Sequence, residues 1–83
     1  MDLEIKLWVK TLLGEPVQMS FQELDSIGAV KRAVEQNFGI RKEEQSLIYY
    51  GEVLEDEHVA LIQKGIVDGD CLTVALTKVR FYT

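Results

Sequence analysis

The sequence predicts an α+β fold in which a mixed sheet of four to five strands wraps one helix. Three observations carry this. Apolar residues alternate with polar ones over residues 3–10 and again over 17–22, a period of two that marks half-buried strands. From Ile27 the apolar spacing changes to three and four, the period of an amphipathic helix. Alternation then returns near the C-terminus. The order reads strand, strand, helix, strand, short strand, strand. A hairpin followed by one helix buries that helix only by laying it across its own sheet.

Each element has a local reason. Leu3, Ile5, Leu7 and Val9 alternate with Glu4, Lys6, Trp8 and Lys10, which places the first set inward. Leu12-Leu13-Gly14-Glu15 reads as the hairpin turn, and Pro16 stands at the entry of the next strand, where its missing donor costs least. Val17, Met19 and Phe21 form the inner row of the second strand. Ser26 is the expected helix N-cap, with Asp25 its rival. Ile27, Val30, Val34 and Phe38 make the buried stripe, and Gly39 ends the helix. Lys31 and Arg32 fall off that stripe, and Gly28 carries a small helix-propensity cost.

Arg41 to Glu44 is a polar connection and Gln45 to Tyr50 a third strand stopped by Gly51. Val53-Leu54 is a short fourth strand, followed by a charged, exposed loop at Glu55-Asp56-Glu57-His58. Ala60 to Lys64 makes one helical turn before Gly65, and Val67-Asp68-Gly69-Asp70 a tight turn. Cys71 to Lys78 is the last strand, with Leu72, Val74 and Leu76 on its inner row. It is the most apolar strand and is expected at the centre, parallel to the first. The domain is expected to span residues 1–78, with 79–83 a tail or the start of a following segment.

Composition narrows the function. The 83 residues suit one domain. The net charge of −5 disfavours a general nucleic-acid binder, which needs a basic face to displace phosphate counterions. Lys31, Arg32, Arg41 and Lys42 cluster in sequence, read either as a solvated surface or as a local phosphate or acidic-partner patch. No apolar run reaches the ~18 residues of a membrane span, and the N-terminus lacks the pattern of a signal peptide. Cys71 is the single cysteine, which allows no internal disulfide and suits a reducing compartment. A cytoplasmic or nuclear monomer that binds neither nucleic acid nor membrane is expected.

The most telling local feature is Leu47-Ile48, inside Gln45-Ser46-Leu47-Ile48-Tyr49-Tyr50-Gly51. Neighbouring strand residues point to opposite faces, so one of the two enters the core and the other looks outward. An isoleucine on an outer face marks a candidate binding surface.

Taken in order, Val9-Lys10-Thr11-Leu12 with Gly14, Asp25-Ser26-Ile27, Val30-Lys31, Val34, Gly39-Ile40, Gln45, Leu47-Ile48, Gly51, Leu54-Glu55-Asp56 and Gly65-Ile66 through Leu76 resemble the ubiquitin family. The resemblance covers Leu3 to about Lys78 and implies the β-grasp roll. It also implies a protein-docking patch on the outer sheet face at Leu12, Ile48 and Ala75, with Thr73 where the family has a histidine. Ala75 is smaller than the family's aliphatic residue, a loss of roughly 1 kcal/mol of contact at ~25 cal/mol per Å². The family's basic binding rim becomes Lys10, Glu15, Ser46, Glu52, Thr73 and Thr77 here. Tyr50, beside Gly51, either extends the patch or leans on the sheet. Trp8 occupies an aromatic position of a secondary family patch, and is either an exposed anchor or covered by the N-terminal segment or Phe81-Tyr82.

The resemblance implies a non-catalytic interaction domain whose partners are proteins of the ubiquitin-receptor or proteasome type. The family's conjugating Gly-Gly tail is absent from the residues up to Thr83, and Glu52 and Asp68 stand at two of its chain-forming lysine positions. An alternative is the first unit of a tandem covalent modifier of the interferon-induced kind, with its Gly-Gly downstream. A small-GTPase-binding roll is a third reading, weakened because residues 17–21 contain no basic side chain.

No cofactor, metal or catalytic residue is expected. Cys71 and His58 lack an orienting partner in sequence, and Cys71 is read as a partly buried filler. One His and one Cys fall short of a zinc set. Glu55-Asp56-Glu57 with Asp68 and Asp70 lack calcium-loop spacing.

Overall fold

The computed structural model describes residues 3–12 and 14–76. The strands are β1 (Glu4–Lys10), β2 (Val17–Gln22), β3 (Gln45–Tyr49), β4 (Glu52–Val53) and β5 (Cys71–Leu76), and the helix α1 is Ile27–Phe38. Short 3-10 turns cover Lys42–Glu44 and Ile62–Lys64. The sheet runs β2-β1-β5-β3-β4. β1 and β5 are parallel, and the other neighbours are antiparallel. The mixed sheet on one helix is the expected α+β roll, with β5 central and beside β1. Residues 77–78 of the expected last strand, and the tail 79–83, lie outside the described residues.

The core forms between the inner sheet face and the helix. Leu7, Val9, Leu47 and Leu72 come from the sheet and Ile27, Val30 and Val34 from α1, all fully buried. Leu61 and Ile66 close the open side. The helix begins at the predicted cap: Ser26 Oγ accepts from Ala29 N at 3.1 Å. Asp25 instead accepts from Gln22 N at 2.8 Å. Gly39 takes the left-handed cap and donates to Glu35 O at 2.9 Å.

Several expectations are corrected. Leu3 is 63% exposed rather than buried, because the last rung of the β1–β2 ladder joins Glu4 to Gln22 and Leu3 lies beyond it. Val17 and Leu76, at strand ends, are likewise exposed although their phase is inward. The fourth strand is Glu52–Val53, and Leu54 enters the core beyond it. Cys71 is exposed, since an inward Leu72 turns its neighbour out.

The charged loop is also not a free one. Ile27 N and Gly28 N donate to Val59 O and Glu57 O at 2.9 and 3.0 Å, so the loop is stitched to the helix start. A Cβ on Gly28 would stand 3.2 Å from Glu57 O. A side chain there would press on the loop that the Gly28 amide holds, so the glycine suits this close approach. Lys31 is buried rather than solvated, with its Nζ 3.5 Å from Glu57, while Lys42 Nζ lies 2.9 Å from the same carboxylate. The buried stem packs while the ammonium finds its counter-charge. Half of the supposed basic cluster is therefore consumed internally, and Arg41 lies 3.7 Å from Glu43.

Two outcomes follow for stability. Leu72→Ala should cost about 3 kcal/mol by chemical denaturation, and Ile48→Ala less than about 1 kcal/mol, because only the first empties a sealed site. The hydrogen bond from Lys42, reinforced by the Lys31 charge, holds the Glu57 carboxyl below its usual 4.5 against the opposing effect of burial. A depressed carboxyl stabilises the fold above its unfolded value and loses that contribution as pH falls through its folded value. Glu57→Gln should therefore cost about 1–2 kcal/mol at neutral pH, a range discounted for partial exposure. In denaturation curves its gap from the parent chain should close on acidification below pH 4.5.

Candidate protein-docking face

The outer face of the sheet is assembled from the residues left over once the core has taken every second one. Ile48 on β3 stands opposite Thr73 on β5 and Val53 on β4. Thr73 in turn stands opposite Lys10 on β1. This gives one continuous row across four strands: Lys10, Thr73, Ile48, Val53. Ser46 and Ala75 pair in the adjacent row toward the end of β5. On the other side, Trp8 stands opposite Cys71. Cross-strand neighbours of this kind are the units of a shared surface.

The structure thus places Ile48, Thr73 and Ala75 on neighbouring strands of one face. Leu47 is 0% exposed and Ile48 half-buried, so the outward assignment falls on the isoleucine. Leu12 lies two residues past β1 and is 85% exposed. Trp8 shares the face at 41% exposure, partly open rather than fully covered by described residues. Val53 and Cys71 belong to the same face and were not among the residues expected on it. Pairing across the β3–β4 hairpin would have marked Val53, and the inward phase of Leu72 would have marked Cys71.

Tyr50 and Gly51 form the β3–β4 turn, both at positive φ, 49° and 78°. Glycine accepts this freely; a tyrosine there is held in a sparsely populated region. Tyr50 is 86% exposed and stands edge-on to Tyr49, with ring centroids 4.7 Å apart. It projects outward rather than lying flat on the sheet. The rim charge also differs from the sequence expectation, since Glu52 pairs with Lys64 Nζ at 2.8 Å and its negative charge is largely answered. Thr77 lies outside the described residues.

The acidic turn that follows has a structural task. Asp70 Oδ2 accepts from Tyr49 Oη at 2.6 Å and from Val67 N at 3.0 Å. Tyr49 Oη also lies 3.1 Å from Gly65 O. Asp68 Oδ1 accepts from Lys6 N at 2.7 Å. Among the described residues no group of three or more His, Cys, Asp or Glu side chains is arranged to hold a metal. No helix there is long and apolar enough to cross a membrane.

A family model described as the ubiquitin family matches residues 7–79. The chain belongs to the ubiquitin family. Ubiquitin-like protein NEDD8-like protein 2 of Dictyostelium discoideum is 35% identical over 65 residues, 78% of this chain and 80% of the relative. NEDD8-like protein RUB1 of Saccharomyces cerevisiae is 30% identical over 69 residues, 83% of this chain and 88% of the relative. Ubiquitin-like protein 4A of Xenopus tropicalis is 37% identical over 54 residues, which is 36% of that longer protein. The β-grasp roll is thus reached from the sheet order and from family membership alike.

The Tyr49 phenol gives a test of the clamp beside this face. Its hydrogen bond to Asp70, with burial and the Asp70 charge, pushes it from 10.0 up to about 12. A raised pKa means stability fully present below the unfolded value and lost as pH rises through the folded one. Unfolding measured between pH 10 and 12 should show this loss, and Tyr49→Phe should remove that part of it. The same variant should cost about 1 kcal/mol at neutral pH.

Proposed function

We propose that this chain is a non-catalytic ubiquitin-like interaction domain that recruits proteins through the outer face of its sheet. The observation that carries the reading is Ile48: an aliphatic side chain on an outer face, between Thr73 and Val53, beside a fully buried Leu47. Leu12, Ala75 and Thr73 extend its apolar contact area, and Trp8 is a lateral aromatic anchor. Tyr50, 86% exposed in the two-residue β3–β4 turn whose geometry sets its positive φ, contributes a second aromatic. The partners are proteins of the ubiquitin-receptor or proteasome type, met in the cytoplasm or nucleus by a monomeric domain.

The side-chain set tunes the specificity. A smaller Ala75 and the Thr73 hydroxyl reduce apolar contact and remove a titratable ring. Lys10 is the basic member of the central row. Partners selected for a strongly basic surface are therefore disfavoured.

A covalent-modifier reading is favoured by one finding, the match to the two NEDD8-like relatives over 80% and 88% of their lengths. It requires a Gly-Gly terminus beyond Thr83. The coding sequence that follows Thr83 separates the two: a second ubiquitin fold ending in Gly-Gly selects the modifier, an unrelated domain the adaptor.

The docking reading is tested by NMR titration of the labelled chain with ubiquitin-receptor domains and proteasome shuttle-receptor subunits. Amides of Leu12, Ile48, Thr73 and Ala75 should shift. Ile48→Ala should weaken binding about tenfold, equivalent to ~1.4 kcal/mol, with the melting temperature nearly unchanged. Titrations in which that face stays silent with every receptor overturn the assignment.

A further inference from the structure

A second surface lies away from the Ile48 row. A hollow of about 380 Å³ opens where β1 begins, between that strand and the segment 62–68. Its floor is Ile5 and Ile66, both buried, and its walls are Leu3, Ile62 and Val67, all substantially exposed. The other three described lining residues are Glu4, Glu23 and Asp68; among the described residues no Lys, Arg or His lines it. None of these carboxylates forms an ion pair among the described residues. An apolar hollow of this volume sits at the small end of the range that holds ligands and side chains.

The hollow is braced by its own hydrogen bonds. Glu23 N donates to Leu3 O at 2.9 Å, and Ile62 N donates to Glu23 O at 3.0 Å. Across the opening, Lys6 N donates to Asp68 Oδ1 at 2.7 Å and Gly69 N to Lys6 O at 2.7 Å. The walls are therefore tied to β1 from both sides, and little ordering is left for a binding event to supply.

We infer that this hollow is a docking site for a basic peptide segment of another protein, one that inserts a bulky apolar side chain between flanking Lys or Arg residues. The apolar floor takes the inserted side chain. The three carboxylates, none in an ion pair among the described residues, meet the flanking cations, Asp68 through the charge left beside its bond to Lys6 N, and their like sign rejects an acidic segment. The inference stands apart from the proposed function, because its residues share no member with the Ile48, Thr73 and Ala75 rows.

The test uses the labelled full chain and the synthetic peptide Arg-Lys-Leu-Phe-Lys-Arg. Amides of residues 3–5, 23 and 62–68 should shift on titration. Affinity should fall at least about fivefold in Glu23→Lys and in Ile62→Asp, and roughly threefold on raising salt from low to physiological strength. Circular dichroism melts of both variants should match the parent chain, since Glu23 and Ile62 hold the site through backbone groups and their side chains are not core. Replacing Leu-Phe in the peptide by Ser-Ser should abolish binding, as should replacing its four cations by Glu. Shifts confined to the Ile48 row, equal binding by the Ser-Ser or Glu peptide, or unchanged affinity in both variants each overturn the inference. Self-association of the chain alone that Ile62→Asp abolishes would seat a second copy in the hollow and overturn the foreign partner.

Discussion

Leu47 is sealed in the core, and a pleated strand then leaves Ile48 no inward option. The same constraint runs across the sheet through the register. Leu72 and Val74 are buried, so Cys71, Thr73 and Ala75 turn out. Ile5, Leu7 and Val9 are buried, so Lys6, Trp8 and Lys10 turn out. The candidate face is not a separate invention of the fold. It is the complement of the core, and a slip of one residue in any central strand would exchange the two.

Much of this was legible because strand phase and helix stripe are local. The alternation in residues 5–9, the Ser26 cap, the Gly39 stop and the Leu47-Ile48 split all follow from spacing within a few residues. What escaped the sequence depends on distance. The phase of Leu3 is right, yet the β1–β2 ladder ends one residue short of covering it. Lys31 looks like a surface lysine until the loop at Glu57 folds back over the helix start. Gly28 reads as a defect until the carbonyl 3.2 Å from its absent Cβ is known. Asp68 and Asp70 read only as members of a tight turn, yet one caps a β1 amide and the other grips a tyrosine hydroxyl.

The candidate face was legible in the placement of its residues more than in their character. Family resemblance and strand phase both pointed to Ile48, Thr73 and Ala75, and pairing places the three on neighbouring strands. The backbone at Tyr50 gave no sign in the sequence, because a positive φ on a bulky residue runs against its own preference. Nor was the answered charge of Glu52 visible, since Lys64 sits twelve residues away in a turn whose direction the chain does not announce.

The ladder between β1 and β5 pairs Trp8 with Cys71 and Lys10 with Thr73. It joins segments near opposite ends of the described residues, so the middle of the sheet cannot close until residues 71–73 have been made. Such non-local pairing raises contact order and slows folding relative to a helical bundle of the same size. During synthesis the β1–β2 hairpin and α1 emerge first, with the inner edge of β1 still unpartnered. Only when β5 clears the ribosome does that edge acquire its neighbour, and until then it is the part of the nascent chain most open to wrong strand pairing.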